Sequence, residues 1–65
     1  MMLPVRPAYV IQDRLSGLFL TEELGFHSSF AKAGRLYDMD EALDTALDNL
    51  DPGCFEIHEF LVRED

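Results

Sequence analysis

The sequence predicts a small α+β domain, an antiparallel sheet of three to four strands with one amphipathic helix packed across it, in the order ββ(β)αβ. Three features carry that prediction. Two short β-branched and aromatic runs flank a glycine-containing turn, an apolar row with helical spacing fills the second half, and a last apolar run follows a Pro-Gly stop.

The first run is Tyr9, Val10, Ile11 and Gln12, which suits a strand. Asp13, Arg14, Leu15, Ser16 and Gly17 supply turn chemistry, and Leu18, Phe19, Leu20 and Thr21 return as the second arm of a hairpin. Residues 22–29 read as a loop centred on Gly25 with Phe26 as its apolar anchor. Residues 30–37 suit either a third strand interrupted by Gly34 or, through Ala31, Lys32 and Ala33, a helical turn.

The helix has the strongest pattern. Asp38 is a favourable N-cap, and Glu41 three residues on completes a capping box. Met39, Ala42, Leu43, Ala46, Leu47 and Leu50 then recur on one face, an expected core stripe, until Asp51, Pro52 and Gly53 end the helix. The last strand covers 55–62, with Phe55 and Ile57 on one face and Phe60 and Val62 on the other. That change of parity predicts a bulge near His58 and Glu59, or a strand with packing partners on both faces.

At 65 residues the chain predicts a single domain over 1–65, with 48% hydrophobic residues to build its core. A chain of this size buries only about 60% of the surface its unfolded form exposes, so a deep substrate cleft would compete with the core. Cys54 is the only cysteine, which rules out an internal disulfide and fits a reducing compartment. Met1 to Pro7 lack the apolar run of a signal peptide, and no apolar stretch has the length of a membrane span, so a cytoplasmic location in a bacterial host is expected.

Charge is distributed unevenly. Thirteen acidic side chains oppose five basic ones, for a net charge of -8. Up to Tyr37, Asp13, Glu22 and Glu23 are outnumbered by Arg6, Arg14, Lys32 and Arg35. From Asp38 onward, the acids Asp38, Asp40, Glu41, Asp44, Asp48, Asp51, Glu56, Glu59, Glu64 and Asp65 face Arg63 alone. Direct contact with nucleic acid is not expected, because phosphates need lysine and arginine. A basic protein surface is the natural partner for such a patch.

Asp40, Asp44 and Asp48 are spaced i, i+4, i+8, which sets their side chains about 6 Å apart along a helix axis, near the spacing of phosphates along a strand. Asp51 and Glu41 fall within the same arc of about 100°. Stability alone disfavours the row, since like charges at i, i+4 cost about 0.2–0.5 kcal/mol per pair and acids at a helix C-terminus a further 0.3–1 kcal/mol or so. A sequence that breaks local rules without compensation marks a candidate functional surface, although an acidic surplus also aids solubility. The expected partner-binding residues are Asp40, Asp44, Asp48 and Asp51, joined by Glu56 and Glu59.

No catalytic residue, metal or cofactor is expected. Cys54, Glu56 and His58 alternate on one strand face, but a zinc site lacks a fourth ligand by spacing, and carboxylate neighbours would raise rather than lower a thiol pKa. Helix carboxylates facing solvent lack the walled cleft that separates an acid from a base. The glycines form no phosphate-cradling motif. Phe19, Phe26, Phe30, Tyr37, Phe55 and Phe60 suit a core better than a base-stacking platform, because basic residues do not interleave with them in sequence.

The succession YVIQDRLSGLFLT, AGRLYDMDEALDTAL and FEIHEF resembles a layout of small phage and prophage proteins. In size and in its carboxylate-bearing helix the chain is similar to anti-CRISPR proteins, and most to type I-C inhibitors that act on the Cascade effector. The resemblance implies a non-enzymatic DNA mimic that occupies the DNA-binding groove of its target. It carries over no individual residue. The alternative from the residues themselves is a small phage or bacterial adaptor, or an antitoxin-like protein, binding through a strand edge as a monomer or weak homodimer.

Overall fold

The first and last strands of the protein pair along their whole length, and everything else is arranged around that pair. A computed structural model describes residues 4–63. Strand β1 (Val5–Asp13) and strand β4 (Phe55–Arg63) are antiparallel in unbroken register from Val5 opposite Arg63 to Asp13 opposite Phe55. Two short strands, β2 (Phe19–Leu20) and β3 (Phe26–His27), complete an antiparallel sheet of order β3-β2-β1-β4. Helix α1 (Met39–Asn49) lies on one face of the long pair. The expected α+β architecture is therefore observed, with one helix on a four-stranded antiparallel sheet.

Strand β1 begins four residues earlier than the aromatic run suggests, and it runs through Pro7. The Arg14 amide donates to the Cys54 carbonyl at 3.0 Å, which fixes the phase of the ladder. Even-numbered residues of β1 bond to β4, while Tyr9 exchanges two backbone bonds with Leu36 and the Asp13 amide donates to Leu18, both on the other side. Pro7 belongs to the second set, so its missing N–H removes no bond to β4.

The turn after β1 is built on Asp13. Its carboxylate accepts from the Leu15 amide at 3.2 Å and from the Ser16 hydroxyl at 2.7 Å, and Gly17 closes the loop at a φ of 76°. Those bonds, the Ser16 hydroxyl first, hold the Asp13 carboxyl below its ordinary pKa.

The segment expected as a loop at 22–29 holds a tight hairpin instead. Thr21 organises it, its amide donating to the Gly25 carbonyl at 2.9 Å and its hydroxyl accepting from the Gly25 amide at 3.1 Å, while Leu24 takes a φ of 65°. Phe26 is no core anchor, because it sits on the two-residue edge strand and stays exposed. At 30–37 both local tendencies appear in succession. Phe30–Lys32 form a 3₁₀ turn, and Leu36 then bridges to Tyr9.

Alternation along β1 and β4 gives the sheet two apolar faces. On the helix side Ile11, Leu20 and Ala46 form the core, with Leu36, Leu50, Phe55 and Ile57 packed around them. On the other side Ala8 and Val10 are buried beneath Phe60 and a ring chain in which Phe30 stacks edge-on against Phe19 and Phe60, at 5.4 Å in each case. The parity change in β4 thus comes from packing on both faces. No bulge interrupts the register at His58 and Glu59.

Two further expectations about the helix need correction. Asp38 occupies the N-cap, but its side chain makes no cap hydrogen bond, so the capping box with Glu41 does not form. The apolar stripe is only partly core. Ala42 and Ala46 are buried, whereas Met39, Leu43 and Leu47 are 48%, 43% and 45% exposed. The two alanines let the helix approach the sheet closely, and Thr45 on one flank faces Ile11, Leu20 and Leu36. The opposite flank, which carries Met39, Leu43 and Leu47, overhangs β4, where the sheet ends.

Candidate functional site

The buried alanines orient the acidic row. With 3.6 residues per turn, Asp44 lies about 180° from the midpoint of Ala42 and Ala46, and Asp40 and Asp48 flank it on the outermost face. All three are exposed, and among the described residues none has a salt-bridge or side-chain hydrogen-bond partner. Asp51 is exposed as well but lies past the helix end, where its carbonyl accepts from the Cys54 amide at 3.0 Å. It continues the negative surface at the base of the helix rather than the row itself.

Glu56 and Glu59 are placed elsewhere. Glu56 pairs with Gln12 on the sheet face opposite the helix and lies 3.7 Å from the Arg14 guanidinium. Glu59 stands opposite Tyr9 on the helix side. Burial of the Tyr9 ring, a hydrogen bond to Glu59, and the charges of Glu59 and Asp38 together push the tyrosine pKa up. The structure therefore brings Asp40, Asp44 and Asp48 together, sets Asp51 beside them, and separates both glutamates from the row. Glu64 and Asp65, which contribute to the acidity of the second half, lie outside the described residues, as do Met1 to Leu3.

The face opposite the helix has a different chemistry. The Arg6 guanidinium lies 4.1 Å above the Tyr37 ring, and Arg35 lies 5.8 Å from the ring centre of Phe60. Basic and aromatic side chains do interleave, contrary to the expectation from spacing, because the sheet joins residues far apart in sequence. His58 Nε2 lies 2.8 Å from Gln12 Oε1, while Gln12 Nε2 donates to the Gly17 carbonyl at 3.0 Å. The Gly17 bond fixes the amide orientation, so His58 Nε2 is the donor. Cys54 is half-buried just before β4. Among the described residues, no three His, Cys, Asp or Glu side chains converge as metal ligands, and no helix is long and apolar enough to cross a membrane.

Between the β2–β3 hairpin and the helix lies an apolar hollow of about 240 Å³, lined by Ile11, Leu20, Leu24, Leu36 and Thr45.

These features define a small α+β protein whose most unusual surface is a row of aspartates, unpaired among the described residues, on the one α-helix those residues form. No protein-family model, no curated protein and no solved structure matches the chain.

Proposed function

We propose that the protein is a non-enzymatic inhibitor that acts as a DNA mimic, its aspartate row entering the DNA-binding groove of a basic protein and blocking target recognition. The single observation that supports this is the exposure of Asp40, Asp44 and Asp48 on the helix face farthest from the core, with no counter-charge paired to them among the described residues. Carboxylates about 6 Å apart on a rigid helix can meet lysine and arginine side chains arranged for phosphates. Long-range attraction would steer the encounter, and added salt would slow it. The resemblance to anti-CRISPR proteins makes a type I-C Cascade effector the target to test.

The test is competition between this protein and a labelled target duplex for purified Cascade. The wild type should displace the duplex, with displacement weakening as salt rises. Asp44→Lys/Asp48→Lys should fold yet displace at least tenfold less, the order expected when two charge contacts of about 1 kcal/mol become repulsive. Undiminished inhibition by that variant would remove the helix from the mechanism. Failure of the wild type to compete would remove Cascade as the target.

A further inference from the structure

We infer that the protein pairs with a second copy of itself through the free edge of β4, antiparallel about a two-fold axis at Leu61. This inference stands apart from the aspartate-row proposal, because it rests on a different surface.

The backbone supplies the first argument. The ladder phase that turns even-numbered residues of β4 toward β1 turns the N–H and C=O groups of Phe55, Ile57, Glu59, Leu61 and Arg63 away from it. Among the described residues no strand lies on that side. The opposite edge of the sheet is the two-residue β3, and the outer side of β1 is covered by β2 and Leu36. β4 is thus a nine-residue edge with no proline, glycine, lysine or bulge to blunt it, and of its charged residues Glu59 and Arg63 are opposite in sign.

Side chains select the occupant and the register. A two-fold axis at Glu59 would set that carboxylate against its own copy, a destabilising like-charge pair. An axis at Phe60 would set Glu59 against the second copy's Leu61 and Arg63 against the second copy's Ile57. An axis at Leu61 sets Glu59 opposite the second copy's Arg63, repeats that ion pair by symmetry, and places leucine on leucine between them. Outward-facing residues then meet outward-facing residues, giving about six backbone hydrogen bonds over 59–63. The sequence of this strand is therefore complementary in charge to itself in the reverse direction.

Leu61 is 67% exposed on the helix side of β4. The helix begins near Tyr9 and Glu59, so Met39 and Leu43 on its overhanging flank lie toward the proposed axis. A second copy would cover this apolar strip, which neither the sheet nor the helix covers. Both aspartate rows would then sit on the same side of one eight-stranded sheet.

Sedimentation equilibrium of the full chain from about 1 µM to about 1 mM tests the inference, with far-UV circular dichroism to verify folding. The wild type should show a monomer–dimer equilibrium. Arg63→Glu should weaken it about tenfold or more, and Glu59→Arg/Arg63→Glu should restore it to within about threefold of the wild type. Leu61→Pro, which removes an outward-facing amide, should leave only monomer. A wild type monomeric across the range, or a dimer unmoved by Arg63→Glu, would overturn the inference. Should the charge variants fail to fold, amide exchange in the wild type decides instead. Concentration-dependent protection at Glu59, Leu61 and Arg63 supports the pairing, and its absence overturns it.

Discussion

Phe30 and Phe60 meet edge to face, with ring centres 5.4 Å apart and planes inclined at 62°. This contact joins the 3₁₀ turn to β4 and closes the sheet face that the helix leaves open, above Ala8 and Val10. Without it the second apolar face would be wet. Phe30→Ala should lower stability by about 1–3 kcal/mol, less than a fully buried phenylalanine because Phe30 is itself half-exposed, while leaving the helix intact. Urea denaturation followed by circular dichroism measures the change.

Gly34 carries its role through proximity. A Cβ there would stand 2.9 Å from the Glu22 nitrogen and 3.1 Å from the Thr21 carbonyl carbon, both backbone atoms that cannot swing aside. Gly34→Ala should therefore cost about 1–3 kcal/mol, read as a lower denaturation midpoint. Gly25→Ala, whose nearest neighbour would be the Thr21 hydroxyl at 3.6 Å, should be milder.

Leu24 at a φ of 65° occupies a left-handed conformation that costs an ordinary side chain about 1–2 kcal/mol. Asparagine tolerates that region better, and position 24 is exposed. Leu24→Asn should stabilise the protein by up to about 1 kcal/mol. A lower melting temperature would show that the leucine contributes more to the neighbouring hollow than its backbone gives away.

Asp44→Lys/Asp48→Lys turns the repulsive contact between positions 40 and 44 into an attractive one and replaces an acid near the helix C-terminus by a base, while the pair at 44 and 48 stays like-charged. Its stability should rise by about 0.5–2 kcal/mol at low salt, and the gain should shrink as salt is added. Scanning calorimetry at two ionic strengths separates this from any effect on partner binding.

Two groups predict opposite ends of the pH profile. Asp13 has a folded pKa below its unfolded value, so its contribution is complete above the ordinary carboxylate pKa of about 4 and is lost as pH falls through the folded value. Ser16→Ala should reduce that acid sensitivity. Tyr9 has a raised folded pKa, so its contribution is complete below the ordinary tyrosine value of about 10 and is lost as pH climbs through the folded one. Tyrosinate absorbance should show one of the two tyrosines ionising late, and Glu59→Gln should bring it earlier.

Where local chemistry decides, the sequence was informative. The Asp13-to-Gly17 turn, the helix from Met39 and its stop before Pro52 all follow from side-chain and backbone preferences within a few residues. Where partners are distant, it was not. The extension of the first strand back through Pro7 depends on a ladder phase that gives the proline a harmless position, and the helical spacing of Met39, Leu43 and Leu47 could not reveal that the sheet ends beneath them. The row at Asp40, Asp44 and Asp48 was legible because helical period alone fixes it. Glu56 and Glu59 drop out of the row because strand parity and pairing with β1 direct one to each face. The stacking of Arg6 on Tyr37 and of Arg35 on Phe60 had no local signal at all.

The zipper between β1 and β4 joins the earliest-made of the described strands to the one made last among them. While the ribosome is still adding residues before Phe55, β1 has no long partner, and the helix has no completed surface on which to bury its alanines. Loop-closure entropy between β1 and β4 must be met before the main ladder rewards it, so folding should be slow and should wait until Arg63 has left the exit tunnel. A nascent chain stalled short of that point would expose Val10 and Ile11 to chaperones.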